Sequence, residues 1–124
     1  MTAKLTGDYL LPAGEVLATA NEDGILIEGA AWSSLTLDGR LEVSNTTNPF
    51  PVGAIRASAD GLTVLPRTIA IGPTGSVTVV STTQGYAFAI SASGTFGQGI
   101  KVANFGVVEV RTMGESAGIA TGSG

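Results

Sequence analysis

The sequence predicts an all-β protein, a short parallel β-solenoid of about four coils with three short strands in each. Three observations carry that prediction. Aliphatic residues alternate with polar or small ones over short runs, the period of a strand. Two sequence templates recur in fixed order about every 30 residues. Finally, no window holds i, i+3, i+4 apolar spacing over three turns, because glycine or proline interrupts every stretch of helical length.

The first template is two β-branched or aliphatic residues one apart, a short turn ending in glycine, then alternating aliphatics. It occurs at 9–18 (YLLPAGEVLA), 35–43 (LTLDGRLEV), 69–79 (IAIGPTGSVTV) and 100–110 (IKVANFGVVEV). The second places isoleucine after a small residue, at 24–29 (GILIEG), 54–58 (AIRAS), 89–93 (AISAS) and 118–122 (GIATG). Isoleucines 25, 55, 90 and 119 are separated by 30, 35 and 29 residues, and glycines 14, 39, 75 and 106 by 25, 36 and 31. Each unit thus carries an "a" strand at the isoleucine element, then a "b" and a "c" strand on either side of the glycine turn.

A unit with one apolar side buries it only by stacking on its neighbours, with equivalent strands pairing in parallel about 4.8 Å apart. Leu37, Ile71 and Val102 are expected to form one inward ladder. Val43, Val79 and Val110 form another, with the smaller Ala18 at its first rung. Outward positions fall on Thr36, Ala70 and Lys101, and on Glu42, Thr78 and Glu109. The turn glycines are expected to supply positive-φ corners. An antiparallel sandwich or jelly roll also uses many short strands, but hairpins leave the ordered repeat unexplained.

Residues 1–8 read as an N-terminal extension and 9–124 as a single solenoid domain. In this phasing the chain opens on b and c strands, runs through three full units and closes on a lone a strand. The ends, marked by Tyr9, Leu11 and Ile119, are therefore candidate assembly surfaces.

Composition narrows the chemistry. There is no histidine and no cysteine, which removes thiol nucleophiles, the usual zinc ligands and the imidazole acid–base group. Charged residues make up 13%, against about 25% in an average domain, and the six basic residues are scattered singly. That gives no footprint for nucleic acid. No apolar run is long enough to span a membrane, and residues 1–7 (MTAKLTG) lack the apolar core of a signal peptide.

The combination G-I-x-x-x-G followed by I-x-I-x-x-x-G-x-V-x-V resembles the β-helical repeats of bacterial surface and secreted proteins. Those include autotransporter passengers, filamentous-haemagglutinin-like adhesins, type I-secreted repeat proteins and phage tail spikes. The resemblance covers residues 9–122 and implies an extended scaffold that presents loops and binds surfaces or copies of itself. It also implies an extracellular or cell-surface location, with a phage-borne or cytoplasmic protein as the alternative.

Candidate sites are few. Neither a calcium nonapeptide nor an EF-hand loop occurs, and 21–24 (NEDG) reads as a β-turn, so no metal or other cofactor is expected. Glu42 and Glu109, two coils apart, would stand about 9–10 Å from each other, near the roughly 6.5–9.5 Å of inverting glycosidases. No aromatic platform or third acid accompanies them, and they read as solvated strand residues. The glycine-rich 94–99 has no lysine placed to cradle phosphate. Asn45 opens a glycosylation sequon, and its alignment with Ser81 and Thr112 reads as a polar corner. Trp32, Phe50 and Phe96 fall in loops, where an aromatic either contacts a ligand or folds back over a corner. The sequence thus points to a non-catalytic structural or self-assembling solenoid, a subunit or segment of a fibre, adhesin or tail appendage. A glycan- or protein-binding module using the loop aromatics is the alternative, and a polysaccharide lyase or hydrolase has least in its favour.

Overall fold

The computed structural model describes residues 1–29, 31–59, 67–94 and 100–121, and within them the chain is a parallel β-solenoid. The first coil holds β1 (Ala3–Leu5), β2 (Tyr9–Leu11) and β3 (Val16–Ala20), and the second β4 (Ile25–Ile27), β5 (Ser34–Leu37) and β6 (Arg40–Asn45). The third holds β7 (Val52–Ala59), β8 (Arg67–Ile71) and β9 (Ser76–Ser81). The fourth holds β10 (Ala87–Gly94), β11 (Ile100–Asn104) and β12 (Val107–Thr112), and β13 (Ser116–Thr121) follows. Equivalent strands pair in parallel to give an a wall of five strands (β1-β4-β7-β10-β13) and b and c walls of four (β2-β5-β8-β11 and β3-β6-β9-β12).

The isoleucine rung is the clearest link from repeat to fold. Ile25 pairs with Ile55, Ile55 with Ile90, and Ile90 with Ile119, and the first three are wholly buried. Val43, Val79 and Val110 stack as expected, as do the outward Glu42, Thr78 and Glu109. Each aliphatic side chain sealed in these ladders contributes about 1.5–3 kcal/mol relative to exposure, so the stacked interior is the main source of stability.

Four details differ from the sequence expectation. The segment before Tyr9 is not an extension: Ala3–Leu5 pairs with Ile25–Ile27, so the first coil already has its a strand. Val102 stacks on Ile69, while Ile71 pairs with Asn104; Lys101 accordingly sits on Thr68, and Ala70 on Ala103. Thr19, not Ala18, pairs with Val43. All these register shifts arise at the b–c corner, whose turns are residues 12–15, 38–39, 72–75 and 105–106: four, two, four and two long. Counting from the glycine assumes a constant turn and misplaces the strand residues on one side of a turn of different length.

The fourth difference concerns the glycines. Among described glycines only Gly14 and Gly29 have positive φ, at 85° and 99°. Gly39, Gly75 and Gly106 are required for another reason. A Cβ on any of them would overlap a backbone carbonyl of the coil beneath: Pro12 and Glu15 for Gly39, Leu37 for Gly75, Gly75 itself for Gly106. They let successive corners touch rather than turn.

Candidate functional site

The candidate binding aromatics part company in the structure. Trp32 is fully buried; its indole N–H donates to the Ser58 carbonyl at 2.8 Å, and the Arg67 guanidinium lies 5.5 Å from its ring. It has folded back into the a–b corner and offers no surface. Phe96 lies outside the described residues. Phe50 is 72% exposed on the c–a corner, its N–H held by Asn48 Oδ1 at 2.9 Å. Above it, the Gly85 backbone sits so close that a Cβ there would stand 2.6 Å from the Pro49 carbonyl. Phe50 is therefore an exposed ring on a tightly stacked corner, and it forms no platform with the buried Trp32.

The carboxylates of the c wall do not converge either. Glu42 accepts from Arg40 and Glu109 from Arg111, each two residues away on its own strand, with Thr78 between the two pairs. A shallow depression of about 240 Å³ lies along Glu42, Thr78 and Val80, below the roughly 300–1,000 Å³ typical of ligand pockets. Among the described residues no three acidic, histidine or cysteine side chains gather to hold a metal.

Other polar groups link coils. Asp8 Oδ1 accepts from the N–H groups of Ser33 (2.6 Å) and Ser34 (3.0 Å), and the Ser33 N–H is the main cause that holds its pKa below the ordinary 3.8. Glu22 accepts from Thr2, whose hydroxyl first and N–H second lower its pKa from 4.5. Asp23 accepts from the Gly53 N–H (2.9 Å) and Arg56 Nε (2.8 Å), and Arg56 in turn lies 4.9 Å from the centre of the Phe88 ring. The 21–24 turn therefore clamps the third coil. Asn45 is buried, with Nδ2 donating to the Asn48 carbonyl at 2.9 Å. Its sequon is closed to modification in the folded chain.

The ends remain. Tyr9 is half-buried and Leu11 is buried, its carbonyl accepting from the Asp38 and Gly39 N–H groups at 2.8 and 3.0 Å. Ile119 is 44% exposed although it crowns a rung whose other isoleucines are sealed. In the fourth coil Phe105, Val107 and Met113 are exposed, Val107 in the outward column of Ser76 and Arg40, and the inward Val102, Val108 and Val110 are only partly covered. The first coil is open as well, with Ala3, Leu5, Tyr9 and Leu17 only partly covered and Leu10 and Val16 exposed, so both end coils depart from the closed core of the second and third. Among them, too, no helix is long and apolar enough to cross a membrane. Compared with known proteins, the chain matches no family model, no curated protein and no solved structure.

Proposed function

We propose that the chain is a non-catalytic structural solenoid, a subunit or segment of a surface fibre, adhesin or phage-tail-like appendage, joined to its surroundings through the fourth coil. The observation that carries this reading is the change in burial along single ladders. Val77 and Val79 are sealed, whereas Val108 and Val110, directly above them, are only partly covered and are flanked by exposed Val107 and Phe105. An apolar ladder left open beside unpaired strand edges favours association. The absence of histidine and cysteine, and the separate pairing of each c-wall carboxylate with its own arginine, favour a scaffold over an enzyme. An extracellular or cell-surface setting goes with this reading, through the resemblance to secreted β-helices.

Light scattering over a concentration series tests it. With no other partner present, the wild-type chain should associate as concentration rises, fourth coil against fourth coil and not head to tail, and Phe105→Lys with Val107→Lys should keep it monomeric with an unchanged β-sheet spectrum. A wild-type particle that stays monomeric at every concentration contradicts the proposal.

A second reading rests on Phe50, the exposed ring on the c–a corner. If that corner binds glycan or protein, Phe50→Ala should abolish binding on a glycan or protein array while leaving the fold intact. Retained binding would remove Phe50 from consideration.

A further inference from the structure

At each b–c corner the first turn residue donates to one carbonyl of the coil beneath, that of the last residue in the b strand. The Asp38 N–H donates to Leu11 O at 2.8 Å, Gly72 to Leu37 O at 2.9 Å and Phe105 to Ile71 O at 2.8 Å. Where a four-residue turn sits on a two-residue turn, as residues 72–75 sit on 38–39, both ends of the upper turn meet that lower corner. Gly72 donates its N–H to the Leu37 carbonyl, and a Cβ on it would overlap Asp38 Oδ1. A Cβ on Gly75 would overlap the Leu37 carbonyl itself. Four-on-two stacking therefore needs a backbone donor at the first position of the upper turn and no side chain at its last, where the obstacle is backbone; at the first position the obstacle is only the Asp38 carboxylate.

The fourth coil ends on a two-residue turn, 105–106, so its upper corner repeats the one that the second coil offers, with Asn104 in the place of Leu37. The first coil has a four-residue turn of the right length but the wrong residues. Pro12 stands where Gly72 donates and has no N–H, and Glu15 stands where Gly75 must lack a side chain. A second copy placed head to tail would lose that hydrogen bond and drive the Glu15 Cβ into the Asn104 carbonyl. The wall count opposes it as well: β13 has already added a fifth strand to the a wall, in the position where β1 of a following copy would have to lie.

We infer that the two end faces are not complementary to each other, and that the fourth coil takes a further β-solenoid arm of a defined kind. This arm enters on a b strand and runs into a c strand through a four-residue turn with a free backbone N–H at its first position and glycine at its last. It would lay its inward aliphatics over Val102, Val108 and Val110. The inference rests on the reading of the fourth coil as a docking face and names its partner: a glycine-cornered coil, not the first coil of this chain.

The test extends the full chain, after a flexible linker, with an arm copying residues 67–81. A second extension carries the same arm with its corner changed at the two positions, Gly72→Pro and Gly75→Glu. Hydrogen exchange of β11 and β12 is the readout. The glycine-cornered arm should slow their exchange at least tenfold, and the altered arm should leave it as in the unextended chain. Equal protection by both arms would overturn the corner rule and leave the docking face standing. Protection by neither would remove both. In-register head-to-tail filaments of the unextended chain, seen by electron microscopy, would also overturn the inference.

Discussion

The second and third coils and the fourth coil use the same kinds of residue in the same register, yet only the former make a closed core. Val79 and Val110 share a ladder and an identity; the first is sealed and the second is half-covered. The difference is not in the strand but in what lies above it. In a solenoid each coil's stability is a nearest-neighbour quantity, so identical sequence grammar contributes differently at the centre and at an end.

The sharpest way to break this comparison is at a corner. Gly75→Glu places a side chain against the Leu37 carbonyl in the middle of the stack, and should cost about 3 kcal/mol or more through overpacking. Gly14→Ala, at the positive-φ corner with no neighbouring atom to strike, should cost about 1 kcal/mol. Urea unfolding of both variants checks the order; equal costs would mean that the contact with the Leu37 carbonyl does not select Gly75.

A smaller effect compares rungs. Val79→Ala should cost about 2 kcal/mol and Val110→Ala under about half of that, because the latter opens less cavity. Chemical denaturation of the pair measures the asymmetry directly.

Smaller still are the charged links of the first coil. Asp8 and Glu22 have folded-state pKa values below their ordinary 3.8 and 4.5. Their stabilisation is therefore fully present above those ordinary values and is lost as pH falls through the lower folded ones. Thermal midpoints should be flat from neutral pH to about 5 and fall below about 4. Asp8→Asn should flatten part of that acid slope, and an unchanged slope would show that the Ser33 and Ser34 N–H groups do not favour the ionised form. At the bottom of the scale, removing the exposed Arg40–Glu42 pair should change stability by under about 0.5 kcal/mol.

Much of this architecture was legible in the residues. The isoleucines at 25, 55, 90 and 119 align because their element has the same local form in every coil, so a one-dimensional count finds a three-dimensional rung. The count failed where geometry, not sequence, sets the length. Turns of four and two residues alternate, and a glycine that looks like one recurring punctuation mark ends some turns but lies inside the first. Ala3–Leu5 escaped notice because alanine stands where the other coils carry isoleucine. Trp32 is buried for a reason that its loop position conceals: the coil corner has depth, and a large ring with one donor fills it when a carbonyl such as that of Ser58 is in reach. The coil-linking role of Asp8 has no sequence signal at all, since its partners are backbone N–H groups 25 and 26 residues away. The end face was legible only in part. Ile119 could be named from the repeat, but Val107 and Phe105 become visible as exposed apolar groups only once the coils are stacked.

The most direct test of the account is native-state hydrogen exchange of the wild-type chain, strand by strand. Amides of β8 and β9 should exchange only through global unfolding, and those of β11 and β12 at least tenfold faster, through local opening of an uncovered coil. Equal protection across all four strands would contradict the claim that the fourth coil is an open face.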